Sequence, residues 1–117
     1  APDWTHPPVR RLTDWLKAQL AADLAWAPFE PNDAVLWSAM AGTARRRLKA
    51  LFNAGALAGR SDADSYFVRC DARTHTQGDL DAGRAIMQVG VAPAVPAEFI
   101  VFRLVRSGAD DPRIEVQ

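Results

Sequence analysis

Cys70 and His75 lie five positions apart, and a thiol near an imidazole is the pairing that a cysteine nucleophile and its base require. Such chemistry also needs a group to orient the imidazole and donors for an oxyanion, and the surrounding sequence offers neither. The plainer reading makes Cys70 a small core residue on a strand and His75 part of the loop that follows. This pair is the one candidate for the alternative that the chain is a small α+β enzyme or effector. Asp79 and Asp81 could begin a cation site, but an oxygen-ligand loop needs several further ligands at regular offsets. Thr76 followed three residues later by Asp79 fits a helix cap better. No glycine-rich phosphate loop, paired-histidine helix or serine elbow occurs, so the expectation is a non-enzyme without metal or cofactor.

The strongest local charge feature is Arg45, Arg46 and Arg47 followed by Lys49. Three successive helical residues fan over about 200°, so the three arginines cannot all face one groove, and Leu48 between them must turn inward. A solvated helix end and a docking patch for an acidic protein surface are the main readings. Nucleic acid is disfavoured, because no aromatic residues interleave with the cations.

These residues must be positioned by helices in the first half and strands in the second. Pro8 suits a first helical turn, and Val9, Leu12, Leu16 and Leu20 form an apolar stripe, with Trp15 on its flank. This predicts a helix to about Trp26, ended by Pro28, with Trp15 and Trp26 on one face. Asn32 or Asp33 caps a second helix to about Asn53, closed by Gly55, with a core stripe of Leu36, Met40, Ala44, Leu48, Leu51 and Phe52. Tyr66 to Asp71 reads as a strand with Val68 and Cys70 on one side. A loop with one helical turn follows from Thr74 to Gly83. Ala85 to Val91 and Glu98 to Arg106 read as longer strands, joined through Pro93 to Pro96.

In the last long strand Ile100, Phe102 and Leu104 form one apolar face, while Phe99, Val101 and Val105 make much of the other apolar too. A strand apolar on both sides wants cover on both sides. Ser107 to Gln117 is broken by Gly108 and Pro112 and ends in a short alternating stretch, which predicts a detached strand. The expected fold is α+β, with two amphipathic helices packed on a small antiparallel sheet whose other face or open edge meets another chain or a missing part of this one.

Composition agrees with one folded domain over residues 1–117, of which 107–117 form an extended carboxy-terminal arm. The chain is 49% apolar and 24% charged, and its 14 basic side chains balance 14 acidic ones, which excludes a disordered tail or a polyanion binder by bulk charge. The balance is uneven along the chain: residues 1–60 hold 8 Lys/Arg against 5 Asp/Glu, and residues 61–117 hold 6 against 9. A single cysteine rules out an internal disulfide and makes the cytoplasm the default compartment. No apolar run approaches the ~20 residues that cross a bilayer. A start at Ala1, without methionine, predicts a piece of a longer polypeptide.

A family resemblance emerges from blocks taken in order. Val9-Arg10-Arg11-Leu12 opens a helix, and Trp26-Ala27-Pro28-Phe29-Glu30-Pro31-Asn32-Asp33 leads into a second, tryptophan-bearing helix that ends in Gly55-Ala56-Leu57-Ala58-Gly59. Tyr66-Phe67-Val68-Arg69-Cys70-Asp71 follows, then Thr76-Gln77 with Asp81-Ala82-Gly83-Arg84, then Val89-Gly90-Val91-Ala92-Pro93 and Pro96-Ala97-Glu98-Phe99-Ile100. From about Trp4 to Arg106 the chain resembles the carboxy-terminal domain of contractile phage tail sheath proteins, found also in tailocins and contractile injection systems. Pro7-Pro8 departs from the family, which commonly has a Val-Asn-like pair there.

The resemblance implies a structural subunit of a much longer sheath protein. Such subunits assemble in the bacterial cytoplasm as hexameric rings stacked around an inner tube, and contract to drive the tube through a target envelope without nucleotide. It implies self-association and partnership with the tube, baseplate and tail terminator proteins, with no nucleic acid and no membrane. It places this domain innermost, carrying the sheet into which neighbours' arms insert. On that basis Ile114 and Val116 are expected in the arm that joins a neighbour's sheet, and Phe99, Val101, Arg103 and Val105 in the receiving strand. Arg45, Arg46, Arg47 and Lys49 are candidates for contact with an acidic tube, although the resemblance does not single them out.

Overall fold

The computed structural model describes residues 9–93, 99–108 and 112–117. The expected helix start at Pro8, the middle of the Pro93 to Pro96 connection and the strand start at Glu98 lie outside them.

Helix α1 (Val9–Asp23) forms where leucines recur every fourth residue, and Leu12, Leu16 and Leu20 are fully buried. It ends three residues before Trp26. Ala27–Phe29 makes a 3-10 turn, with Ala27 N–H reaching back to Leu24 C=O at 2.9 Å and Pro28 in its first turn. Trp26 is therefore off the helix and exposed, while Trp15 packs partly buried beside Arg47. The expectation that these two tryptophans share a face fails, because the chain leaves the helix before the proline rather than at it.

Helix α2 (Ala34–Asn53) starts at Asp33, whose Oδ1 accepts from Leu36 N–H at 2.9 Å. At its far end Gly55 takes φ +80°, and Ala56 N–H reaches Leu51 C=O at 3.0 Å. The expected stripe is buried except for Phe52, which is half-buried, and Ala41 joins it. A one-turn helix α3 (Asp62–Ser65) then leads straight into strand β1 (Tyr66–Arg69). After a second 3-10 turn (Ala72–Thr74) comes helix α4 (Gln77–Asp81), followed by β2 (Ala85–Val91), β3 (Ile100–Arg106) and β4 (Ile114–Val116).

The sheet runs β1-β2-β3-β4, antiparallel throughout. Val68, Met87, Val89, Phe102 and Leu104 face the two long helices and form one core with their leucines. On the other face Phe67, Gly90 and Val101 share one cross-strand row, and Arg69, Gln88 and Arg103 share the next. A Cβ added to Gly90 would lie 2.0 Å from Phe67 Cε2, so the ring rests directly on the glycine. The α+β architecture of helices on one face of a small antiparallel sheet is as expected. The tail, however, is not detached: β4 pairs with β3 of its own chain.

Candidate functional site

Strand β4 is three residues long, and its register sets Val116 opposite Leu104, Glu115 opposite Val105 and Ile114 opposite Arg106. The ladder is extended by reciprocal backbone bonds, with Gln117 N–H to Arg103 C=O at 2.8 Å and Arg103 N–H to Gln117 C=O at 3.1 Å. Arg103 Nη2 also donates to Gln117 Oε1 at 2.6 Å. Ile114 and Val116 are half-buried against the helix-side core. Phe99, Val101, Arg103 and Val105 thus lie on the opposite side of the sheet from Ile114 and Val116. Val105 is buried, while Phe99, Val101 and Arg103 are exposed. The partners that receive the tail's apolar side chains are Leu104 and Arg106.

Arg106 was missed as a structural residue, since an arginine closing a strand looks like a solvent residue. It is 5% exposed. Its Nη1 donates to Gly83 C=O at 2.7 Å, its Nε to Ala27 C=O at 3.3 Å and its Nη2 to Glu30 C=O. Three carbonyls from two loops thus satisfy a cation whose acidity burial increases. Just beyond this clamp Ser107 and Arg113 hydrogen-bond to each other, and β4 follows.

The basic run on α2 splits as the helical fan requires. Arg45 Nη2 donates to Val68 C=O at 3.0 Å and so occupies the outer edge of β1. Arg47 forms a bidentate pair with Asp23 at 2.8 Å, tying α2 to the end of α1. This hydrogen bonding lowers the Asp23 pKa and raises that of Arg47, against the opposing effect of burial. Lys49 bonds to Asp62, which also accepts from Tyr66 Oη at 2.6 Å. Burial, then that hydrogen bond, raises the Tyr66 phenol to about 12. Arg45, Arg46 and Lys49 are all exposed, and Arg46 bonds within its own helix, to Thr43 Oγ1 at 3.3 Å.

Cys70 and His75 are used differently from a catalytic pair. Burial, then the charge of Asp71, pushes the Cys70 thiol to about 12, so it is a thiol and not a thiolate. Where β1 ends, Ile86 N–H donates to His75 Nε2 at 2.9 Å, and Thr74 Oγ1 reaches Ile86 C=O at 2.8 Å. A backbone amide can only donate, so Nε2 carries the lone pair and Nδ1–H donates to Asp71 C=O at 2.7 Å. Both ring nitrogens are committed, and the ring stacks on Trp37 at 4.2 Å between centroids. Trp37 Nε1 donates to Asn32 Oδ1, whose amide nitrogen bonds to Arg84 C=O. The imidazole is a side-chain continuation of the β-ladder, a role visible only once β1 is seen to stop at Arg69.

Asp79 caps α4 reciprocally with Thr76 and pairs with Arg84, and Asp81 accepts from Gln77. Among the described residues no group of three or more His, Cys, Asp or Glu could hold a metal ion, and no helix is long and apolar enough to cross a membrane.

Two long helices on one face of a four-stranded antiparallel sheet, closed by a tail strand paired within the chain, define a small module of the α+β class. Its sequence matches the family model of the phage tail sheath C-terminal domain over residues 1–106. The chain belongs to this family, and its role is structural. Its fold is similar to a chain of the anti-feeding prophage baseplate, solved by cryo-electron microscopy with 6-fold symmetrisation (TM-score 0.73, 39% identity). It is similar also to a chain of the PVC sheath complex, an extracellular contractile injection system in its contracted state (TM-score 0.71, 37% identity). Each likeness covers 86% of this chain and 28% of the other, so the chain spans little more than a quarter of their length. A search of curated proteins returns no match.

Proposed function

We propose that this domain is the inner, arm-receiving part of a contractile sheath subunit that stacks with copies of itself as hexameric rings around a tube. Contraction of that stack would drive the tube through a target envelope, with the baseplate, tube and tail terminator as further partners. The likeness to a baseplate chain and to a contracted sheath complex supports the self-assembling and baseplate-associated parts of this reading. The observation that carries it is the β3–β4 ladder, whose three-residue tail strand lies outside the matched family segment.

In a polymer, the same backbone bonds can form between β3 of one copy and β4 of the next, so exchange conserves the bonds and costs mainly the ordering of the linker. The seven residues between Arg106 and Ile114 reach at most ~25 Å when extended, which limits exchange to adjoining subunits. On this reading Ile114 and Val116 are the donated side chains. Phe99, Val101, Arg103 and Val105 belong to the receiving strand, with Leu104 and Arg106 as direct partners. Of the candidate tube contacts Arg45, Arg46, Arg47 and Lys49, Arg46 is the exposed one whose side chain ties down no other element.

The test is a cysteine pair, Leu104→Cys with Val116→Cys, in a Cys70→Ala background of the intact sheath chain. Leu104 and Val116 lie between two hydrogen-bonded pairs, where side chains of opposing strands come closest. Oxidised monomer should close within one chain and lose polymerisation until reduced, and oxidised polymer should give chains linked in series. Polymers that form normally with the tail locked in cis would refute the exchange. Electron microscopy of the intact chain, showing striated tubes or their absence, tests the sheath reading itself.

A further inference from the structure

The face of the sheet opposite the two long helices carries a second feature, which shares only Arg103 with the strand-exchange edge. Register sets Arg69, Gln88 and Arg103 in one row across β1, β2 and β3. Strands lie about 4.8 Å apart, so the two arginines flank Gln88 at roughly 10 Å. They border a concavity of about 500 Å³ also lined by Asp71 and Arg73. Asp71 is engaged by Arg73 at 3.0 Å, so three guanidiniums meet one carboxylate that is already used. Neither Arg69 nor Arg103 forms an ion pair within the described residues, and Glu115, in the adjacent row, makes none with Arg103.

Both guanidiniums are nevertheless held in place. Arg69 lies over the Phe67 ring at 4.7 Å, and Arg103 is fixed by Gln117 Oε1. Restrained cations lose less freedom on meeting a carboxylate than mobile ones do. The neighbouring row is apolar and open: Val101 is 48% exposed and Phe99 43%, with Phe99 set edge-on to Phe67 at 5.4 Å. A strip of fixed cations beside exposed apolar groups matches a segment that presents a carboxylate next to an apolar side chain.

We propose that this face is an interaction surface, and that a carboxylate-bearing segment of an adjoining copy of the chain binds across Arg69 and Arg103. The inference rests on the sheath reading, which makes copies of the chain the nearest neighbours. Charge complementarity is available on such a copy. Asp64 and Glu30 are exposed and take part in no ion pair among the described residues. The contact would be heterologous, one surface meeting a different one, which is the geometry that propagates rings and stacks.

The test is Arg69→Gln with Arg103→Gln in the intact sheath chain, beside the wild type, with pelleted polymer and thermal midpoint as readouts. The expected result is a loss of polymer of about tenfold or more, with a midpoint lowered only slightly, because each exposed side chain gives up a single surface contact, to Phe67 or to Gln117. Polymer at the wild-type yield would overturn the inference and leave the sheath reading intact. A variant that polymerises normally alone but fails only on added tubes would show the tube to be the occupant, and would overturn the assignment to a neighbouring copy. A wild-type chain that forms no polymer would overturn the sheath reading, and this inference with it.

Discussion

The backbone N–H of Ile86 donates to Nε2 of His75 at 2.9 Å, at the point where β1 has already ended and β2 has not. That single bond assigns the imidazole's tautomer and keeps a strand amide from being left unpaired.

His75→Phe should preserve the stack on Trp37 while leaving Ile86 N–H without its partner, whereas Asp71 C=O keeps the Thr74 backbone N–H at 3.1 Å. A loss of about 1–3 kcal/mol in urea unfolding is expected. Cys70→Ala in the same assay should cost about 1 kcal/mol, as a small core truncation does. Neither change should alter assembly beyond its effect on folded fraction, whereas a catalytic pair would lose a reaction with folding preserved.

Gly90→Ala inserts a methyl group where the Phe67 ring already lies, and the ring must leave the sheet surface. Because Phe67 carries both the Arg69 and the Phe99 contacts, the substitution should displace all three. Destabilisation of about 1–3 kcal/mol is expected, with changed methyl and aromatic NMR shifts at Val101 and Phe99.

The Arg47 pair holds the Asp23 carboxyl below its ordinary value of 3.8. A depressed folded-state value means that the unfolded chain takes up the proton first, so this stabilisation is complete above about pH 4 and disappears as pH falls further. Asp62, Asp71 and Asp79 are lowered in the same direction: Asp62 chiefly by its Tyr66 hydrogen bond, Asp71 by Arg73 and Asp79 by the Thr76 backbone. Asp23→Asn should therefore lower stability near neutral pH by about 1 kcal/mol and make the acid limb of the urea midpoint shallower without abolishing it.

Arg46 and Arg47 are adjacent in sequence but opposite in consequence. Arg47→Glu sets a carboxylate against Asp23 and should cost about 2 kcal/mol of stability. Arg46→Glu should change stability by less than about 0.5 kcal/mol. It should nonetheless weaken tube-templated assembly, more strongly at low salt where screening is least. Equal tube-templated yields for Arg46→Glu and wild type at low salt would remove Arg46 as a tube contact.

The parts legible in the sequence are those governed by local rules. Leucine spacing placed α1 and α2, Asp33 marked a start, and Thr76 with Asp79 marked a capped turn, because each signal operates within one or two helical turns. The roles of Arg106 and His75 and the in-chain pairing of β4 were not legible for a common reason. Arg106 is defined by carbonyls 23 to 79 residues away, His75 by the unpaired end of another strand, and β4 by a partner strand instead of its own three-residue pattern. The row formed by Arg69, Gln88 and Arg103 likewise exists only through register, which no single segment encodes.

The clamp at Arg106 also determines where tension would enter the domain. A neighbour that holds the tail strand pulls on the chain immediately after a residue fastened to Ala27, Glu30 and Gly83. Force would then be shared between two loops before it reached the helices, sparing the core behind them. On the proposed exchange, the β3–β4 ladder would be the part that yields first, a mechanical fuse able to open and close again without disturbing the core behind the clamp.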